Sequence, residues 1–329
     1  MTSPFAYARA ADEQDAVRLA AQLGTAFLAG GTDFLPLWKA GLAAPSRVID
    51  IGRLALDHIE VRADVLVIGA LARLADAADH PSIRHELPGL AQALLASASA
   101  QVRNMATVGG NLMQRTRCLY FRGADFACNK RAPGSGCSAL EGENRQHAIL
   151  GTSSACVATH PSDLAVALVA LGASLRLRGA AGERRVALED FFLLPGDTPE
   201  RETVLMAGEL LVAVEVPRTP RRSAYLKLRD RASFEFAVVS ACVAAEVRDD
   251  RIATICLAAG GVATTPWRLK ACEAALAGAR LDDAVLRAAS ALAAEGARPL
   301  GGNGFKVELL QRTVHRLLAD TLVTPPTSP

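Results

Sequence analysis

Between residues 114 and 160 the chain loses regular hydrophobic periodicity, and this stretch carries four of its seven cysteines: Cys118, Cys128, Cys137 and Cys156. A structureless segment of that length is out of place in a compact domain unless it is functional or organised by something it binds. The other three thiols, Cys242, Cys256 and Cys272, sit in apolar or helical contexts that suit buried free cysteine. An odd cysteine count, with no basic n-region and apolar h-region at the start and no twin arginine, argues against a disulfide framework.

The spacing Cys118-x9-Cys128-x8-Cys137-x18-Cys156 contains no closely spaced pair of the kind structural zinc sites use. So wide a loop wraps more naturally round a body larger than one ion, such as an iron–sulfur cubane. Arg115, Arg117, Arg122, Lys130 and Arg131 surround the first two thiols, with Asp125 opposing them. Cations lower thiol pKa and offset the negative charge of a thiolate-ligated cluster. Gly134 and Gly136 let N–H groups face sulfur. Three readings stay open on the residues alone: cluster, zinc, or unligated redox thiols.

The rest of the chain reads as α+β. Helices are predicted over 12–23, 71–80, 88–99 and 161–171, and strands over 47–51, 65–69, 173–178, 184–187 and 209–216. A basic, Pro-rich linker follows at 217–222. Strands over 224–229, 236–247 and 251–259 then precede helices over 267–277, 282–295 and 303–319. The expected division is 1–218, split near residue 55 and carrying the Cys-bearing insertion 114–160, and a C-terminal unit 222–325. Two glycine turns stand out, Leu28-Ala29-Gly30-Gly31-Thr32-Asp33-Phe34 and Ala106-Thr107-Val108-Gly109-Gly110-Asn111. Each is read as a nest of N–H groups for a phosphate oxygen, and two such nests suit a dinucleotide diphosphate. The net charge of +2 offers no field for nucleic acid or an anionic membrane, and no apolar run approaches the ~18–20 residues that span a bilayer.

Taken in order, Leu-Ala-Gly-Gly-Thr-Asp (28–33), Thr-Val-Gly-Gly-Asn-Leu (107–112), Pro-Ser-Asp-Leu (161–164) and the strand before the linker resemble the FAD-binding subunit of molybdenum hydroxylases. These include the xanthine dehydrogenase, carbon monoxide dehydrogenase and 4-hydroxybenzoyl-CoA reductase types. The insertion, with Arg117-Cys118-Leu119-Tyr120-Phe121-Arg122, Cys128-Asn129-Lys130-Arg131 and Pro133-Gly134-Ser135-Gly136-Cys137, is most similar to the flavin subunit of bacterial periplasmic aldehyde oxidoreductase. The resemblance implies a two-subdomain FAD-binding fold like that of vanillyl-alcohol oxidase, then an α+β domain of the CO dehydrogenase flavoprotein type. It implies that Leu28, Ala29, Gly30, Gly31, Thr32, Asp33 and Phe34 wrap the FAD diphosphate, with Ala106, Thr107, Gly110 and Asn111 on its other side. Ser97 and Ala98 would pack on the adenosine end. Ser162 and Asp163 would bond ribose or ribityl hydroxyls, and Leu211 would lie by the adenine or flavin rim. Lys227 would approach the isoalloxazine. Cys118, Cys128, Cys137 and Cys156 would ligate a [4Fe–4S] cluster.

The implied partners are a molybdopterin-binding large subunit, a [2Fe–2S] small subunit and an external electron acceptor. No general acid–base constellation is visible, so no residue is assigned a catalytic role. A zinc-stabilised scaffold and a stand-alone flavin oxidoreductase are the alternatives. Lack of an export signal gives an expectation of cytoplasmic residence, with the periplasm reached if the chain is exported folded beside a signal-bearing partner.

Overall fold

A computed structural model describes residues 4–219 and 221–323. Pro220 of the expected linker, residues 324 and 325 of the expected C-terminal unit, and residues 1–3 lie outside the described residues.

Three sheets organise the chain. Strands β1 (Ala6–Arg9), β2 (Thr25–Leu28) and β3 (Arg47–Asp50) form a small parallel sheet in the order β1-β3-β2. Its first helix, Glu13–Ala20, is capped by Asp12, whose carboxylate accepts from the Asp15 N–H. The next sheet contains β4 (Ile59–Val61), β5 (Val65–Gly69), β6 (Ser174–Gly179), β7 (Gly182–Ala187) and β8 (Leu210–Pro217), antiparallel in the order β4-β5-β8-β6-β7. β8 is Val- and Leu-rich and buried at every position except Pro217. A central strand covered on both faces reads this way.

The last sheet, β9 (Arg222–Leu228), β10 (Val239–Arg248), β11 (Arg251–Gly260) and β12 (Trp267–Arg268), is antiparallel in the order β12-β11-β10-β9. Asp249 and Asp250 close the β10–β11 hairpin with φ of 48° and 56°. Left-handed conformations at both central residues define the turn whose twist matches its strands. Alternation along β10 divides its side chains. Cys242 and Ala244 join the core that also holds helices Pro88–Ala96 and Asp163–Ala170. Ala241, Val243 and Ala245 face the core beneath helix Phe305–Leu318. Helix Asp163–Ala170 is therefore buried along its whole length.

Two sequence expectations are revised. The helix expected over 267–277 is only Lys270–Leu276, because Trp267 and Arg268 pair with Ala259 and Ala258 of β11. The basic linker is tied down: Arg218 bonds the Glu86 carboxylate at 2.8 Å and the carbonyls of Arg62 and Ala63. In the insertion, regular structure is limited to the helical turn Leu119–Arg122 and two isolated bridges, Cys128 with Cys137 and Leu150 with Ala263.

Candidate functional site: two joined clefts beside a thiol-lined cavity

The turn after β2 is held against the second glycine motif with no space between them. A Cβ on Gly30 would lie 2.0 Å from the Met105 carbonyl oxygen, so only glycine fits. Gly31 has φ of +73°. The N–H groups of Gly30, Gly31 and Thr32 have no partner among the described residues, which leaves them available to an anion.

The second motif differs from the nest expected of it. Residues Val108–Leu112 form a helical turn capped by Thr107, whose Oγ1 accepts from the Gly110 N–H at 3.1 Å. The Val108 and Gly109 N–H groups bond the carbonyls of Ala72 and Ala70. These donors are already engaged, so the glycines here permit close approach and do not supply an open nest. Asn111 Oδ1 accepts from Ser162 Oγ at 2.6 Å, and Ser162 Oγ in turn accepts from the Ala165 N–H as the cap of helix Asp163–Ala170.

Two clefts meet at this junction, and Thr32, Asp33 and Gly110 line both. One, about 520 Å³, is largely apolar, with Phe27, Ala29, Phe34, Leu37, Ile51 and Leu211 among its walls. The other, about 340 Å³, lies towards the C-terminal sheet and is lined by Ser97, Ala98, Ala106, Asn111, Asp163 and Lys227. Ala98 holds φ of 50°, a strained value for a non-glycine residue. Leu28 stays in β2 and does not line either cleft, although the other expected residues of its motif do. Leu211 and Lys227 fall in different clefts, and Lys227 shares its cleft with Ser97 and Ala98.

Lys227 is itself committed to protein groups. Its Nζ donates to Asp163 Oδ2 at 2.7 Å and to the Ala96 carbonyl at 3.0 Å, with side chains only 4% and 6% exposed. Tyr225 completes the group by donating its hydroxyl to Asp163 Oδ1, and burial next to this carboxylate pushes its phenol well above the ordinary value. Sequence reasoning missed Tyr225. The signal was available, because residues two apart in a strand share a face.

Asp33 links the glycine turn to the insertion. Its carboxylate pairs with Arg117 at 2.9 Å and Arg122 at 3.0 Å, and accepts the Arg115 N–H at 2.8 Å. The other cations act similarly as braces. Lys130 pairs with Glu202, and Arg131 donates to the carbonyls of Tyr120, Phe121, Ala124 and Phe126.

Cys118, Cys128, Cys137 and Cys156, from separated segments, line one small cavity with Tyr120, Phe121, Asn129 and Lys130. The expected lowering of thiol pKa is reversed at Cys118 and Cys156. Burial pushes Cys118 up to about 11 and raises Cys156 although Lys130 opposes it. Among the described residues, no three His, Cys, Asp or Glu side chains are arranged to hold a single metal ion. The donor set is nonetheless all sulfur, which is the chemistry of a thiolate-ligated cluster. Leu37 and Ala43 of the apolar cleft and Phe121 of the thiol cavity pack with Cys118 and Cys128 in one small apolar cluster. His147, a residue no sequence spacing singled out, also abuts Cys118.

Residues 3–219 match the family described as the FAD binding domain in molybdopterin dehydrogenase, and residues 223–321 match the CO dehydrogenase flavoprotein C-terminal domain. The chain is 46% identical over 321 residues to the aldehyde oxidoreductase FAD-binding subunit PaoB of Escherichia coli, covering 96% of this chain and 98% of that one. It is 28% identical to the glyceraldehyde dehydrogenase medium chain of Sulfolobus acidocaldarius, covering 86% and 84%. Among solved structures, a carbon monoxide dehydrogenase from Hydrogenophaga pseudoflava superposes with a TM-score of 0.77 at 26% identity, covering 98% of this chain and 99% of that one.

Proposed function

Because the chain belongs to the family of FAD-binding medium subunits of molybdenum hydroxylases, we propose that it is the electron-transfer flavoprotein subunit of a heterotrimeric aldehyde oxidoreductase. It would work beside a molybdopterin-binding large subunit and a [2Fe–2S] small subunit. The near-full-length likeness to an aldehyde oxidoreductase subunit supports the aldehyde class of substrate. The observation that carries the cofactor reading is the junction of the two clefts, where Gly30, Gly31 and Thr32 offer unpartnered N–H groups.

The residues present fit FAD. Gly30, Gly31 and Thr32 would hold the diphosphate, and Gly110 would let it approach the second motif. Ser97, Ala98, Asp163 and Lys227 would line the nucleotide half. Phe27, Phe34, Leu37 and Leu211 would exclude water from an apolar ring system in the larger cleft. On this reading Lys227 does not reach the ring system directly and instead holds Asp163 in place. The four insertion thiols fit a [4Fe–4S] cluster in donor type and number. When bound, FAD and the cluster would supply electron exchange between the [2Fe–2S] carriers of the partner and an external acceptor. Among the described residues no helix is long and apolar enough to cross a membrane. Export of the folded chain with a signal-bearing partner is the route by which it would reach a periplasm.

The test is iron, acid-labile sulfide and FAD analysis of the purified complex, wild type against Cys137→Ser. The expected result for this subunit is about four irons and one FAD, with iron lost and flavin kept in the variant. The partner's [2Fe–2S] iron is counted from a complex reconstituted without this subunit. Stoichiometric zinc would overturn the cluster, and a colourless subunit would overturn the flavin.

A further inference from the structure

His147 is 5% exposed, and its Nε2 lies 3.1 Å from Cys118 Sγ. The contact is enforced from the C-terminal part of the chain. The His147 carbonyl accepts from Lys306 Nζ at 3.1 Å and from Asn303 Nδ2 at 3.2 Å, both residues fully buried. The His147 N–H is fixed on the Asn144 carbonyl at 2.9 Å. The imidazole therefore has little freedom to turn away. Its Nδ1 has no partner among the described residues.

A ligated cysteine sulfur carries no proton and only accepts hydrogen bonds. For the contact to be favourable, the imidazole nitrogen facing the sulfur must carry a hydrogen. From this geometry we infer that His147 is a positioning residue of the proposed cluster, donating Nε2–H to Cys118 and making the cluster easier to reduce. A hydrogen bond to a ligating sulfur spreads its negative charge, and such bonds are among the levers on cluster potential. Backbone N–H groups of Tyr120 and Phe121 also face this sulfur. The inference rests on the cluster reading above.

The test uses the purified complex. In His147→Phe, iron and FAD should stay at wild-type levels while the cluster midpoint falls in an EPR-monitored titration. The expected size is a roughly tenfold change in the one-electron equilibrium, about 59 mV. His147→Gln, whose amide nitrogen reaches about as far as Nε2, should recover part of it, and the flavin midpoint should not move. Wild-type complex with 15N-labelled histidine gives a second readout independent of variant folding, a weak nitrogen coupling to the reduced cluster. An unchanged midpoint with intact iron, or no nitrogen coupling, overturns the inference and leaves the cluster standing. Strong coupling together with iron loss in His147→Phe makes His147 a ligand and overturns the donor role. A wild-type subunit without iron overturns the cluster reading itself.

Discussion

Gly30→Ala tests the junction on which the cofactor reading depends. The added Cβ would sit 2.0 Å from the Met105 carbonyl oxygen and 3.3 Å from Ala106 Cα. Since Cβ contacts under 3.0 Å essentially never occur, the two glycine segments must part by at least 3.0 − 2.0 = 1.0 Å. Backbone atoms form the obstacle, so a rotamer change cannot relieve it. Forcing one extra methyl into a packed site costs about 1–3 kcal/mol. If that cost falls on the bound geometry, FAD affinity drops about 5- to 150-fold. The assay is titration of flavin-stripped subunit with FAD, followed by flavin fluorescence. Gly278→Ala is the control. It has φ of +73° but nothing within 4 Å of its Cβ, so it bears backbone strain without obstruction. Unchanged FAD affinity in a folded Gly30→Ala protein would refute the placement of the diphosphate between these segments.

Lys227→Met removes one partner of a buried ion pair and should cost about 3–5 kcal/mol in urea unfolding, because Asp163 stays buried with Tyr225 and Ser97 alone. A loss below about 1 kcal/mol would show that the pair is not needed to neutralise Asp163. Asp33→Asn should speed protease cleavage within 114–160, since the carboxylate anchors Arg115, Arg117 and Arg122; an unchanged digestion pattern counts against that anchoring. Burial lowers His160 to about 3, so between that value and 6.5 the unfolded chain binds a proton that the folded chain refuses. Stability should therefore fall as pH drops through that window, by about 2 kcal/mol between pH 7 and 5. His160→Gln should flatten that dependence in urea midpoints, and identical slopes would assign the acid sensitivity elsewhere.

Much of the architecture was legible because it follows from local chemistry. Asp249-Asp250 specifies a hairpin turn, and Ser162 before an apolar run specifies a helix cap. Gly30-Gly31 was legible as an open turn for the same reason. Thr107-Val108-Gly109-Gly110 was not, because Thr107 turns its hydroxyl back on the chain and makes a cap where free N–H groups were expected. The cations near the thiols misled in a similar way. Their charges are answered by Asp33, Glu202 and backbone carbonyls, so burial governs Cys118 and Cys156. Tyr225 could have been found from the two-residue period that places it beside Lys227. His147 could not, since its position depends on Asn303 and Lys306, more than 150 residues further along the chain.

The carboxylate of Asp33 belongs to two neighbourhoods at once: it stands in the nucleotide cradle and is gripped by the arginines of the sulfur-bearing excursion. A change at either end of this contact is therefore felt at the other: losing Arg117 or Arg122 loosens a wall of the cradle, and losing Asp33 unseats the segment that carries the thiols.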